Sequence, residues 1–252
     1  METRSDSDIN TESIVKLIKV PDLLSVCNAL FGFSAILFVL ASVSEKAIKH
    51  ALVLILVAAV FDGLDGMVAR AIESSPLGKY LDSLADMLSF GAAPALVVYA
   101  LLEDYLYAGV ALVLCGAYVI SGMLRLARFD AAVERRDAAK GEFKGFPITG
   151  GAIVLASFTL LFIELHLPSL TYSVILLVLM CMLCVLMTSR IRYRNIGDKR
   201  IVIGVGLLFF TLFFFYIFAL PLIYPAAIIA ALTAFYLCSP FAAHVFARSK
   251  EG

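Results

Sequence analysis

Apolar residues fill long stretches of this chain, and polar residues gather in short clusters between them. Runs of about 20 apolar residues, enough to cross a bilayer as a helix, predict spans near 22–43, 50–71, 79–102, 106–129, 147–165, 170–188, 201–220 and 223–246. The expected fold is therefore all-α, a polytopic membrane bundle of about eight transmembrane helices. Only Leu220 to Tyr224, with Pro221 and Pro225, separates the last two spans, so a re-entrant pair is an alternative there. With the amino terminus in the cytoplasm, every Lys and Arg except Lys46 and Lys49 falls on the cytoplasmic side. The positive-inside rule then predicts that both termini are cytoplasmic and the protein sits in the cell membrane as a multi-pass chain. Residues 1–20 are expected to form a cytoplasmic tail with a short interfacial helix from Ser13 or a frayed end, 21–195 a core, and 196–252 an additional helix pair.

Four acids break the apolar pattern. Asp62 and Asp65 lie in the second span, and Asp82 and Asp86 in the third. An ionised acid inside a membrane costs at least about 2.5 kcal/mol unless something compensates it. In a helix, Asp62, Asp65 and Ala69 share one face at i, i+3 and i+7, and Gly78, Asp82 and Asp86 share another at i, i+4 and i+8. Two such faces turned together form a cage of oxygen ligands, for which two divalent cations, Mg²⁺ or Mn²⁺, are the natural content. At about 1.5 Å per residue, the acids lie on the order of 10 Å in from the cytoplasmic end of their helices. That depth admits a lipid headgroup from the side and a soluble molecule from the cytosol.

Asp62-x2-Asp65-Gly66-x2-Ala69-Arg70-x7-Gly78-x3-Asp82-x3-Asp86 resembles the motif of the CDP-alcohol phosphotransferase family. The stretches Ser89 to Ala95, Arg125-Leu126-Ala127-Arg128-Phe129, Phe143-x2-Phe146-Pro147 and Met187 to Tyr193 are similar to its phosphatidylserine synthase branch, which acts on a diacylglycerol or archaeol lipid. This resemblance implies an enzyme of phospholipid synthesis that transfers the lipid phosphate from a CDP-linked lipid to the hydroxyl of L-serine, releasing CMP. It implies metal ligation by Asp62, Asp65, Asp82 and Asp86, with Asp86 also the catalytic base. Asp62, Gly66, Ala69, Arg70 and Gly78 would bind the CDP-lipid. Arg125, Arg128 and Lys144 are candidates for the acceptor or a phosphate, although Arg125 and Arg128 also suit the anchoring of helix ends. A homodimer is implied as well. Two positions depart from the branch: Asp130 stands where Asn usually follows the Arg125 to Phe129 run, and Thr149-Gly150-Gly151 replaces Pro-Ala-Ala.

Composition narrows the alternatives. The chain is 62% hydrophobic and 16% charged, against about 25% charged in soluble proteins. Its formal net charge of zero argues against nucleic acid as a partner, because a phosphate-backbone binder carries a basic excess. The five cysteines all lie in apolar runs, an odd set unlike a disulfide framework. Within the same reaction class, glycerol phosphate and inositol phosphate are alternative acceptors. A cation-coupled transporter is the alternative of another class, because intramembrane acids also mark ion paths. Transporters carry paired halves, and this acidic cluster has no counterpart in the second half of the chain.

Overall fold

The computed structural model describes residues 18–71, 75–102, 108–134, 142–194 and 199–248, with the side chains of 70–71, 132–134, 142–144, 192, 194, 199–203 and 241–248 outside that description. The tail up to residue 17 is likewise outside it. Each predicted span coincides with a helix: α1 Val20–Ala41, α2 Glu45–Ala71, α3 Gly78–Leu102, α4 Ala108–Glu134, α5 Ile148–Glu164, α6 Ser169–Thr188, α7 Lys199–Ile217 and α8 Ile223–Arg248. Six of these, α1 to α4, α6 and α8, are long and apolar enough to cross a membrane, whereas α5 and the apolar part of α7 are shorter. The protein is thus a multi-pass membrane helical bundle.

The α1 helix packs most extensively on α2 and also against α3, while α5 lies between α2, α6 and α8. Its entry is fixed locally: Pro21 sits in the first turn, and the Lys19 backbone N–H donates to Asp22 Oδ2 at 2.7 Å. Both satisfy helix-start requirements, since the first N–H groups have no partner inside the helix. At the far end of α2, Lys49 Nζ joins Glu45 Oε1 at 2.9 Å and Glu164 Oε1 at 2.7 Å, tying α2 to the end of α5.

Immediately after Asp86, α3 widens into a π-helical stretch, Met87–Ala92. Such stretches change the hydrogen-bond register of a helix and recur at functional sites. Here the side chains around it hold it in place. Tyr118 Oη of α4 donates to the Phe90 carbonyl at 3.0 Å, and Ser89 Oγ donates to the Asn28 carbonyl of α1 at 2.8 Å.

The all-helical expectation omits one small feature. Strands β1, Glu142–Lys144, and β2, Arg192–Arg194, pair antiparallel with Phe143 opposite Tyr193. Two of the stretches singled out in the sequence are therefore partners. Gly145, at φ 87, turns the chain out of β1 in a conformation that favours glycine, and its N–H donates to Ile191 O at 2.8 Å. Beyond it, the rings of Phe146, Tyr193 and Tyr236 pack at centroid distances of 5.2 to 5.8 Å, joining β2 and α8 to the start of α5.

Candidate active site

The carboxylates of Asp62 from α2 and of Asp82 and Asp86 from α3 converge, each offering an oxygen within 4.8 Å of the other two. At such separations, two unit charges repel by at least about 3.5 kcal/mol at an effective dielectric of about 20. Neighbouring helices supply partial compensation. Thr149 Oγ1, in the first turn of α5, donates to Asp62 Oδ2 at 3.1 Å, which also brings the positive end of the α5 dipole toward the acids. Asn28 Nδ2 of α1 donates to Asp86 Oδ1 at 3.2 Å. Asp65, on the same face of α2, is buried and accepts a hydrogen bond from Ser25 Oγ, so its carboxylate is turned toward α1.

Ser25 and Asn28 of α1 therefore hold these acids, and sequence reasoning assigned neither of them, nor the neighbouring Asp22, a role. Asp22, Ser25 and Asn28 are all buried and recur at i, i+3 and i+6. That polar stripe in an otherwise apolar helix was the available signal. Asp22 Oδ1 and Asn28 Oδ1 are buried acceptors without a hydrogen-bond partner among the described residues. Buried acceptors are rarely left unsatisfied, so these two oxygens suit a cation or a donor. The oxygen donor set suits a hard divalent ion, for which three converging carboxylates are appropriate ligands.

Arg125 of α4 is buried and lies within electrostatic reach of Asp86 and Asp62. Its guanidinium sits 5.7 Å from the centre of the Phe129 ring and has no hydrogen-bond partner among the described residues. Arg128 is placed differently. It donates to the carbonyls of Met187 at 3.2 Å and Ser189 at 3.1 Å, anchoring the carboxyl end of α6. Backbone carbonyls there lack helical partners, and a cation suits the negative end of the dipole. The side chains of Arg70 and Lys144 lie outside the described residues.

The small residues of the motif divide into two kinds. Around Gly66, no described atom outside its own helix lies within 4 Å of where a side chain would begin, whereas a Cβ on Gly78 would stand 2.8 Å from Asp22 Oδ1. Open space along α2 suits a ligand, and Gly78 permits close packing of α3 on α1. Ala69 is half-buried on the same helix.

A membrane bundle whose helices bring one buried and two half-buried carboxylates together, a set fit for a divalent cation, defines the class. The chain belongs to the CDP-alcohol phosphatidyltransferase family, whose model matches residues 18–186. It is 36% identical over 156 residues to archaetidylserine synthase of Methanothermobacter thermautotrophicus, a match covering 60% of this chain and 62% of that protein, less than two thirds of its length. It is 32% identical over 176 residues to CDP-diacylglycerol–serine O-phosphatidyltransferase of Helicobacter pylori, covering 69% of this chain and 71% of that one. The enzyme of the same name from Mycobacterium leprae is 32% identical over 235 residues, 91% of this chain and 76% of the relative.

Proposed function

We propose that this chain transfers the phosphatidyl or archaetidyl group of a CDP-linked lipid to L-serine and releases CMP. The observation that carries the reading is the meeting of Asp62, Asp82 and Asp86 beside Arg125, which is buried and within electrostatic reach of Asp86 and Asp62. Asp62, Asp65 and Asp82 would be the principal ligands of two divalent cations, with Asp86 also in reach. Bound there, Mg²⁺ or Mn²⁺ would neutralise the pyrophosphate and the departing CMP.

The chain's own groups do the rest. Asp86, oriented by Asn28, takes the proton of the serine hydroxyl. The hydroxyl oxygen attacks the lipid-side phosphorus, and the bond to the CMP oxygen breaks, with CMP keeping the electron pair. Arg70 would contact the CDP phosphates, while Gly66, Ala69 and Gly78 shape the nucleotide pocket. Arg125 would bind the serine carboxylate, a charge-assisted contact suited to a guanidinium. Arg128 already binds the end of α6, so it would act mainly by holding that wall, and Lys144 remains a candidate for phosphate. A phosphorylated acceptor would call for a dense basic pocket, which Arg125, Arg128 and Lys144 leave open, so glycerol phosphate and inositol phosphate stay the alternatives, and the relatives named for serine transfer support serine. The test is CMP release from a CDP-lipid offered each of these acceptors in turn, and serine is expected to support the fastest release. Preference for a phosphorylated alcohol would overturn the acceptor assignment.

The same proposal has eight crossings, both termini and the catalytic end in the cytoplasm, and a homodimer in the cell membrane. The distribution of Lys and Arg supports the orientation, and the family resemblance supports the dimer. At 17 residues, α5 reaches the lower limit of about 17 for a span. Cysteine labelling from the cytoplasmic side is expected to reach single cysteines placed between Glu134 and Lys144 and between Arg190 and Arg200. Labelling of either segment only from the opposite face would contradict this topology.

A further inference from the structure

The first turns of α3 carry both Asp82 and Asp86, yet no side chain among the described residues caps the start of this helix. Its hold comes from the side. Lys79 Nζ donates to the Asp130 main-chain carbonyl at 2.9 Å, and Ser83 Oγ donates to Asp130 Oδ2 at 2.9 Å. Lys79 and Ser83 are i and i+4, so they share one face of α3 and turn it toward the carboxyl end of α4. Asp82 and Asp86 share the neighbouring face, about 100° around the axis. A rotation of α3 that carried its acids away from Asp62 would therefore pull Ser83 from Asp130.

We propose that Asp130 is a positioning residue, a strut between α4 and α3 that sets the rotation of α3 and holds Asp82 and Asp86 against Asp62. The strut rests on the reading that these acids bind a divalent cation, and it acts by keeping their oxygens in place before the cation arrives. Asp130 also lies within electrostatic reach of Asp82, so its charge is a competing explanation for any effect on cation binding. Asp130→Asn separates the two: an amide oxygen still accepts from Ser83, but the charge is gone. Asp130→Ala removes both, and Ser83→Ala removes the donor while leaving the charge.

Equilibrium binding of Mn²⁺ to the purified full-length protein, without CDP-lipid, gives a readout independent of turnover. Residues that orient ligands typically contribute 10- to 100-fold to metal affinity, so Asp130→Ala and Ser83→Ala are expected to weaken Mn²⁺ binding about 10-fold, with Asp130→Asn staying within about threefold of wild type. Should Asp130→Ala fail to fold, Ser83→Ala carries the same test. Wild-type affinity in Ser83→Ala overturns the strut, as does an Asp130→Asn variant as weak as Asp130→Ala. Failure of the wild-type protein to bind Mn²⁺ overturns the cation reading itself and is thereby distinguished from a failure of the strut alone.

Discussion

Asp82→Asn is expected to reduce CMP release by on the order of 10³ or more while yield and monodispersity stay normal. Asp82 is one member of the converging triad, bringing one oxygen within 4.8 Å of both Asp62 and Asp86. An amide of nearly the same shape preserves packing and removes the charge that attracts a divalent ion. Stabilisation of phosphoryl charge by such an ion is worth several kcal/mol, and each 1.36 kcal/mol or so is tenfold in rate. Folding should be spared, because losing one of three carboxylates lowers the repulsion among them. Substantial CMP release by a well-folded Asp82→Asn protein would remove the metal-centred account.

Asp86→Asn is the second large effect, and it separates a base from a ligand. If Asp86 chiefly takes the acceptor's proton, turnover should fall about 10²- to 10⁴-fold, while CDP-lipid affinity falls much less. Ground-state nucleotide binding would rest on the other acids, so the loss belongs to the transition state. The contact from Asn28 Nδ2 to Asp86 Oδ1 orients this carboxylate. Asp62→Asn should instead weaken cation and nucleotide binding together, because Asp62 belongs to α2 and faces both. CDP affinity and CMP release for the two variants, in one detergent and at one Mn²⁺ concentration, decide the matter. Equal losses of affinity would make Asp86 mainly a ligand.

Much of the fold could be read directly, because a membrane enforces a long apolar run for every crossing. All eight predicted runs are helices, although α5 and the apolar part of α7 are too short to be assigned as crossings from length alone. The convergence of Asp62, Asp82 and Asp86 was legible for a similar reason: charges inside apolar segments stand out, and helical spacing places them on definite faces. What the spacing could not supply was the third dimension. Asp65 shares a face with Asp62, yet its carboxylate binds Ser25, because α1 packs along that side of α2. Thr149 was visible as a departure from the family pattern, but its contact with Asp62 spans 87 residues and depends on how α5 lies against α2. Arg125 and Arg128 are three residues apart and were equal candidates. Only the packing of α4 on α6 directs Arg128 to the carbonyls of Met187 and Ser189 and leaves Arg125 facing the acids.

The central claim is that the carboxylate cluster joins a CDP-linked lipid to serine with the help of divalent cations. Its most direct test follows radiolabelled serine and CMP together, using purified wild-type protein, CDP-lipid in mixed micelles, and Mn²⁺ or a chelator. Label is expected to enter the lipid phase in a one-to-one ratio with CMP released, and the chelator is expected to stop both until Mn²⁺ is restored. Release of CMP without serine incorporation, or transfer that continues unchanged in the chelator, would contradict it.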